Sequence, residues 1–242
     1  MASMTCADVI TLARTLVDEP DTSALRSAAA VTLYNAANLD VYRRIIDVQP
    51  DYFLTSATFA WPASTESLDI SGASYLNAVP YKIAGVEVTN ASGGTTANNL
   101  PTKLTPMVFQ ERAKYLQDNG YGALTANPTY RPAHYVLTGG SKMYLAPIAT
   151  SALNMTIYYI PQLVAATTAT ASAHVPLAGT ASEFHDIVAY RLASLVESKQ
   201  KGSSQTATRL WMEAQDRISA SAGARQVDEP RRVIYKGYRH NG

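Results

Sequence analysis

The sequence is poor in the side chains that build most metal and thiol sites. Cys6 is its only cysteine, in a chain of 242 residues. One cysteine excludes an intramolecular disulfide and a thiolate-rich metal site. No apolar run is long enough to span a bilayer, and the N-terminus lacks the basic-then-apolar order of a signal peptide. We therefore expect a protein made in a reducing cytoplasm, with no membrane partner.

Charged residues are also scarce. They make up 16 % of the chain, against about 25 % in an average globular protein. The formal net charge is +1, which argues against a dedicated nucleic-acid clamp, because such a clamp needs a dense basic face. Phe occurs 4 times and Tyr 15 times. Tyrosine combines a large ring with a polar tip, so these residues either fill the cores of strands or form surfaces that other subunits cover.

No arrangement of residues nominates a reaction. The histidines are His134, His174, His185 and His240, and they lack metal-ligand spacing with carboxylates or an HExxH motif. His185 and Asp186 are neighbours, but adjacent residues on a helix do not face each other. The glycine pairs lack the lysine and the following helix of a phosphate-binding loop. We expect no enzyme activity, no catalytic residue, no cofactor and no metal ion.

Two amphipathic helices are predicted between Ala181 and Ala222, separated by the break Lys201-Gly202-Ser203. Thr180 and Ser182 are candidate caps for the first helix. Gly223 is placed to end the second. Each helix has one apolar stripe at helical spacing. The stripes consist of Phe184, Ile187, Val188, Leu192, Leu195 and Val196 in the first helix, and of Ala207, Leu210, Trp211, Ala214 and Ile218 in the second.

The N-terminal end carries a matching pair of predicted helices. Thr5 and Asp8 form a capping-box pattern before a short helix that ends near Asp18. A longer helix runs to about Val48, and Pro50 stops it. Its apolar side consists of Ala30, Leu33, Tyr34, Ala37, Val41, Ile45 and Val48. Because an amphipathic helix must cover its apolar side, we expect the helices of the two ends to pack together as one bundle.

The middle of the chain is predicted to be rich in β-structure. Strands are indicated at Tyr52 to Phe59, Ser67 to Ile70 and Ile83 to Thr89. His134 to Ala146 predicts a β-hairpin, with Gly139-Gly140 at its turn. Met155 to Ile160 predicts a further strand that Pro161 bounds.

Two segments interrupt this β pattern. Pro106 to Gln117 predicts one short helix. Ala165 to Ala173 is a run of Ala and Thr whose side chains are too small to pack a core, so we expect an extended linker back to the helices. The fold class is therefore predicted as α+β, with an inserted sandwich- or barrel-like β-rich domain. The predicted parts are a bundle from 1–49 and 176–224, the β-rich domain from 50–175, and an extended tail from 225–242.

The C-terminal tail has the most unusual local chemistry. Basic side chains alternate with apolar and aromatic ones, and only Asp228 and Glu229 oppose them. Arginine forks and tyrosine rings are good interface anchors, which predicts docking on a partner. A disordered end and contact with phosphates are the other interpretations, but a solvated tail would seldom keep Val233-Ile234-Tyr235. The candidate docking residues are Arg231, Arg232, Val233, Ile234, Tyr235, Lys236, Tyr238 and Arg239.

Six short stretches of the sequence resemble one known family. They lie at Ala7–Ile10, Leu16–Pro20, Leu33–Asn38, Pro50–Phe53, Pro132–Tyr135 and Met155–Tyr159. Together with the order of elements, two helices at each end of a β-rich insertion, they make the chain resemble the head-to-tail connector, or adaptor, proteins of tailed bacteriophages. That family has no catalytic motif whose residues could be carried over.

The resemblance implies a structural protein of the virion, assembled in the host cytoplasm and located in the neck between capsid and tail. It implies a ring of the protein with itself, typically of twelve copies, around a channel through which double-stranded DNA passes at ejection without sequence-specific binding. The tail would reach the portal protein, and the β domain would face the tail tube or nozzle protein. Near-zero net charge suits a conduit, because a strongly basic wall would hold the DNA through many phosphates.

Two other hypotheses remain open. The first is another virion part, such as a minor capsid, neck or tail-completion protein. The helical ends argue against a pure β tube or decoration protein. The second hypothesis is an enzyme or a sugar-binding module built on the β insertion. It requires a concave site with convergent polar groups.

Overall fold

The computed structural model describes most of the chain. The described residues are 3–17, 27–71, 75–76, 78–90, 102–117, 133–139, 141–149, 152–179, 181–198 and 205–224. Helices and sheets are both present among them, which confirms the α+β class. The α-helices are α1 (Cys6–Leu16), α2 (Ser27–Val48), α3 (Arg112–Gln117), α4 (His185–Glu197) and α5 (Thr206–Ala224). Contacts divide the chain into two units, Met1–Tyr52 with Val164–Gly242 and Phe53–Leu163.

In the helical unit, helices from the two ends of the chain pack on each other, as predicted. Helix α4 contacts α1, α2 and α5, and α2 also contacts α5. The predicted stripes supply most of the buried side chains. Five of their members are only half-buried, namely Leu33, Val48, Leu195, Leu210 and Trp211. Their fully buried members include Tyr34, Ala37, Val41, Ile45, Phe184, Ile187, Val188, Leu192, Ala207 and Ile218.

One predicted helix cap is confirmed, and two predicted helix ends differ in the structure. Thr5 and Asp8 form the predicted capping box at the start of α1. By contrast, Ser182 caps nothing: it begins a 3-10 helix, and Phe184 precedes α4 without a side-chain cap. Helix α5 continues through Gly223 to Ala224, since one glycine weakens a helix without ending it. Asp18, Thr180 and the break at 201–203 lie outside the described residues.

The β unit is a pair of four-stranded sheets packed face to face. One sheet has the order β1-β8-β3-β4, the other β2-β7-β6-β5, and the strands described here do not close into a barrel. Trp61, Val86, Met143 and Leu145, from both sheets, share one buried core. The strands are β1 (Thr55–Trp61), β2 (Ser67–Asp69), β3 (Pro80–Asn90), β4 (Thr102–Lys103), β5 (Thr105–Pro106), β6 (His134–Thr138), β7 (Lys142–Ala146) and β8 (Leu153–Pro161).

Most predicted strands are confirmed, with changed ends. The hairpin of β6 and β7 is present, with Gly139 in the left-handed conformation at φ 59°, which glycine adopts without a steric penalty. Its neighbour Gly140 lies outside the described residues. Strand β1 begins at Thr55 instead of Tyr52. Tyr52 lies in a turn, where its backbone N–H donates to the Gln49 carbonyl at 3.1 Å.

The prediction of a helix from Pro106 to Gln117 is wrong for its first three residues and is confirmed from Phe109 onward. Residues 102–106 form β4 and β5, and helical structure begins only at Phe109. The Leu104 backbone N–H donates to the Val86 carbonyl, and the Met107 N–H donates to the Tyr135 carbonyl, both at 2.8 Å. Leu104 is also buried. Pairing with strands distant in sequence therefore overrides the local helix signal of Pro106.

The Ala/Thr run is not a free linker. It belongs to a segment, residues 164–177, that lies on the helical unit and is called the strap below. Ala166 is buried, and its backbone carbonyl and N–H both bond the Asn35 side chain at 2.9 Å. The Leu177 N–H donates to Asn38 Oδ1 at 3.0 Å. Small side chains do not prevent packing here, because the backbone itself supplies the polar contacts.

Candidate functional site

The candidate docking residues of the tail are not placed by the structure. Residues 231–239 all lie outside the described part of the chain, which stops at residue 224. The docking role of the tail therefore stays a prediction.

His185 and Asp186 do not act together. His185 is buried, and its Nδ1 accepts the Met4 backbone N–H at 3.3 Å. Asp186 instead forms an ion pair with Arg217, with Oδ2 and Nη1 2.5 Å apart, and Arg217 also donates to the Glu183 carbonyl. The two side chains fasten the N-terminal segment and α5 to α4. The arrangement is structural and offers no acid–base pair.

Cys6 is unsuited to nucleophilic chemistry. It is fully buried, and burial raises the pKa of its thiol to about 11. Its neutral form therefore predominates at physiological pH, and the reactive thiolate is rare. Tyr34 lies in the same core, where burial raises the pKa of its hydroxyl and the nearby Cys6 raises it further.

His174 holds the strap against the helices, because both nitrogens of its imidazole form hydrogen bonds. His174 Nε2 lies 2.9 Å from the Val164 carbonyl, which can only accept, so Nε2 carries the proton. In the neutral ring Nδ1 is then the acceptor for the Tyr34 hydroxyl at 3.1 Å. The Cys6 backbone N–H donates to the His174 carbonyl at 2.7 Å. These contacts fasten the strap to both α1 and α2.

The described residues line a groove in each unit. The first, about 330 Å³, lies between α1, α2 and the strap, and Arg14 is the one ionisable side chain among the described residues that line it. The second, about 300 Å³, runs along β3 and β6 in the β unit. Its lining residues are Pro80, Tyr81, Lys82, Ile83, Pro106, Met107, Tyr135, Val136 and Leu137. Among the described lining residues of either groove, no nucleophile is paired with a base, as a catalytic site requires.

The β unit exposes large apolar side chains near the second groove and near the start of β1. Leu54 is 39 % exposed, Tyr81 46 % and Val79 48 %. Val108 and Phe109 are exposed as well. Exposed apolar patches are typical of protein-protein contacts and of ligand-binding grooves. No cluster of three potential metal ligands, and no helix able to cross a membrane, occurs among the residues that the structure describes.

Comparison with known families finds one family model that covers most of the chain. The family model described as SU10 adaptor protein matches residues 4–234, and so extends over both units. The chain belongs to the SU10 adaptor protein family. A search of curated proteins finds no match.

Membership identifies the chain as a structural adaptor protein of a bacteriophage, and hence as a component of the virion. It supports the resemblance found in the sequence at the level of a phage adaptor protein. The family is structural, which is consistent with the expectation that this adaptor is not an enzyme.

Proposed function

We propose that this adaptor protein forms a ring that joins the capsid portal to the tail and contributes part of the DNA channel. The observation that carries the proposal is the family match across residues 4–234, which includes both the helical unit and the β unit. Twelve copies are expected in the ring. Double-stranded DNA passes through it without sequence-specific binding, as suits a formal net charge of +1.

The surface chemistry supports a subunit that is surrounded by other proteins. A ring needs two different faces on each copy, each complementary to the other. Tyr34, Tyr42 and Tyr159 are buried within the chain, so part of the tyrosine content belongs to the cores. The exposed apolar side chains of the β unit, such as Val79 and Val108, are available to neighbours.

The C-terminal tail, residues 225–242, is the proposed link to the portal. The helical unit is the proposed wall of the channel, and the β unit the proposed contact to the tail tube or nozzle protein. The tail combines cationic anchors with the apolar triplet Val233-Ile234-Tyr235. Such a segment can bury apolar surface while its arginines meet carboxylates on the portal.

Mass measurement tests this proposal. The purified chain is examined alone and after mixing with portal rings of the same phage, by native mass spectrometry and by electron microscopy of the complex. We expect a closed ring, alone or on the portal. A strict monomer that ignores the portal rings would refute the role.

A second candidate is another neck or tail-completion protein of the virion. The exposed apolar surface of the β unit favours a contact with some neighbour but does not by itself require a portal. Pull-down of tail proteins by the chain, combined with no affinity for portal rings, would replace the first proposal by this one.

A further inference from the structure

Helix α5 exposes a large apolar side chain in the middle of the face that points away from the bundle. Met212 is 61 % exposed there. Asp216 lies one turn further along the same face, and Ser219 follows it. The Ser219 hydroxyl donates to the Gln215 carbonyl at 3.0 Å, so covering this side chain leaves no hydroxyl without a partner. This α5 face therefore combines an apolar side chain with a carboxylate.

Helix α2 has an exposed stripe of complementary chemistry. Thr32, Ala36 and Arg43 are exposed and lie at helical spacing. Leu39 is half-buried beside them. The Thr32 hydroxyl donates to the Ala28 carbonyl at 3.0 Å, and its hydrogen bond is thus satisfied within the helix. This α2 stripe offers apolar surface next to a cation.

The two helices differ in the charges that stay outside ion pairs. The pairs within the helical unit are Arg191 with Asp40, Arg209 with Glu213, and Arg217 with Asp186. Outside them α2 keeps two cations and one anion, Arg43, Arg44 and Asp47, for a net charge of +1. Helix α5 keeps only Asp216, for a net charge of −1. Two unlike faces of opposite sign favour head-to-tail contact between copies.

Helices α2 and α4 run antiparallel. The Tyr52 hydroxyl, just beyond the end of α2, donates to Glu183, just before the start of α4. Asp40, further back in α2, pairs with Arg191, further along α4. The contacts therefore move back along α2 as they move forward along α4.

Helices α4 and α5 are antiparallel as well. Glu197 at the end of α4 accepts the Thr208 backbone N–H at the start of α5. Asp186 near the start of α4 pairs with Arg217 in the second half of α5. Because α2 and α5 both run opposite to α4, they run in the same direction. Neighbouring copies in a ring of twelve differ by a rotation of about 30°, so α5 of one copy stays close to parallel with α2 of the next.

Arg191 identifies a common level on α2 and α5. Its Nη2 lies 2.6 Å from Asp40 Oδ2, and its guanidinium lies over the Trp211 ring, 5.2 Å from the centroid. At a rise of about 1.5 Å per residue, Arg43 lies about 4.5 Å beyond Asp40. By the same rise, Asp216 lies about 7.5 Å beyond Trp211. The two positions are therefore level to within about 3 Å, a difference that an arginine side chain spans.

We propose that the α5 face of one copy packs on the α2 stripe of the next copy. Asp216 pairs with Arg43 across this contact. Met212 packs beside Ala36 and Leu39. The inference rests on the proposed ring, and a rotation about an axis along the helices preserves the common level, so the opposite charges meet without a shift. Every copy carries both surfaces, which allows the same contact to repeat until the ring closes.

Charge exchange in the full chain tests this contact, with assembly on portal rings followed by native mass spectrometry. Arg43→Glu and Asp216→Arg each place like charges across every contact. We expect either variant alone to lower the fraction of assembled rings by about tenfold. An equal mixture of the two variants should restore that fraction to within about twofold, because an alternating ring again pairs opposite charges at every contact. Recovery on mixing would also show that both variants are folded.

The possible failures are distinguishable. Full assembly of each variant alone would overturn the contact and leave the ring role intact. Assembly that is lost and not restored by mixing would also overturn it, since the two charges would then not act between copies. A native chain that forms no ring would overturn both the contact and the proposed ring.

The apolar part of the contact gives a second readout. We expect Met212→Ser to lower the fraction of assembled rings by about tenfold, because the side chain at the centre of the contact is lost. Met212→Leu should stay within about twofold of the native chain, since it keeps an apolar side chain of similar volume. Helical circular dichroism of the unassembled chain should be the same for both. Equal assembly of the two variants would contradict the packing of Met212.

Discussion

The Glu197 carboxylate, at the end of α4, caps the first turn of α5 at Thr208. Its Oε2 accepts the Thr208 backbone N–H at 2.9 Å and the Thr208 hydroxyl at 3.2 Å, while Oε1 accepts the Ala207 N–H at 3.0 Å. Glu197 is 3 % exposed. A carboxylate at a helix N-terminus is stabilised by the free N–H groups and by the helix dipole. The contact holds the two C-terminal helices in register.

Glu197→Gln should destabilise the helical unit by about 1–3 kcal/mol, because it removes the charge from two buried backbone hydrogen bonds. Urea unfolding followed by helical circular dichroism measures the change in the free energy of unfolding. Glu213→Gln is the matched control, since Glu213 forms an exposed ion pair with Arg209 on the same helix. Equal loss in both variants would mean that the cap contributes nothing.

Asn35→Ala should loosen the strap. The substitution removes both hydrogen bonds to Ala166 and leaves a buried backbone N–H and C=O without their partner, at a cost of about 1–3 kcal/mol. Limited proteolysis should then cut between residues 165 and 173 faster than in the native chain. Thr32→Ala, on an exposed position of the same helix, should leave the cleavage rate unchanged. If the Asn35 variant is cleaved no faster than the Thr32 variant, Asn35 does not anchor the strap.

Cys6 should make the stability of the helical unit depend on alkaline pH. Burial raises the pKa of its thiol from 9.0 to about 11, so the folded state favours the protonated thiol. The contribution is complete below about pH 9 and is lost as the pH rises toward about 11, because the unfolded chain releases its proton first. We expect the free energy of unfolding to fall more steeply over this interval in the native chain than in Cys6→Ala. Parallel pH profiles would show that the thiol does not contribute.

Burial also predicts that the Cys6 thiol of the folded chain reacts slowly with thiol reagents. A thiol-specific reagent at pH 8 should react with the folded chain much more slowly than with the urea-unfolded chain, since the thiolate is both rare and inaccessible. Labelling at equal rates in the two states would contradict the buried position.

Truncation before Arg231 should leave the fold intact and weaken attachment to portal rings. The predicted reason is loss of the basic and apolar anchors of the tail, which supply contact energy without contributing to either core. Circular dichroism checks the fold, and sedimentation with portal rings checks the attachment. Attachment at full strength would exclude the docking role.

Replacing Val233, Ile234 and Tyr235 by serine separates docking on protein from contact with phosphates. The variant keeps every basic residue of the tail, so phosphate binding should persist. Portal attachment should nevertheless drop, because the apolar anchors are gone. An unchanged attachment that weakens steeply with salt would favour the phosphate interpretation.

The elements that were predicted well depend on signals close together in sequence. Thr5 and Asp8 lie three residues apart and form their capping box within one turn. The glycines between β6 and β7 mark a hairpin whose strands are neighbours along the chain. For both, the residues that decide the structure lie within a window that pattern analysis covers.

The elements that were missed depend on partners far along the chain. Leu104 becomes part of a strand connection because Val86 accepts its N–H, and Ala166 is fixed because Asn35 lies beside it. Glu197 precedes α5 by nine residues, and no residue near it in the sequence indicates that it caps this helix. No local pattern records which distant group will satisfy a backbone N–H.

The sequence alone determined the α+β class, the amphipathic helices at both ends and the β-rich middle, since periodic apolar residues must be buried on one side of each element. The tertiary structure alone decided the strap, the cap on α5 and the order of strands in the β1-β8-β3-β4 sheet. Those features arise only when folding brings distant backbone groups within hydrogen-bonding distance.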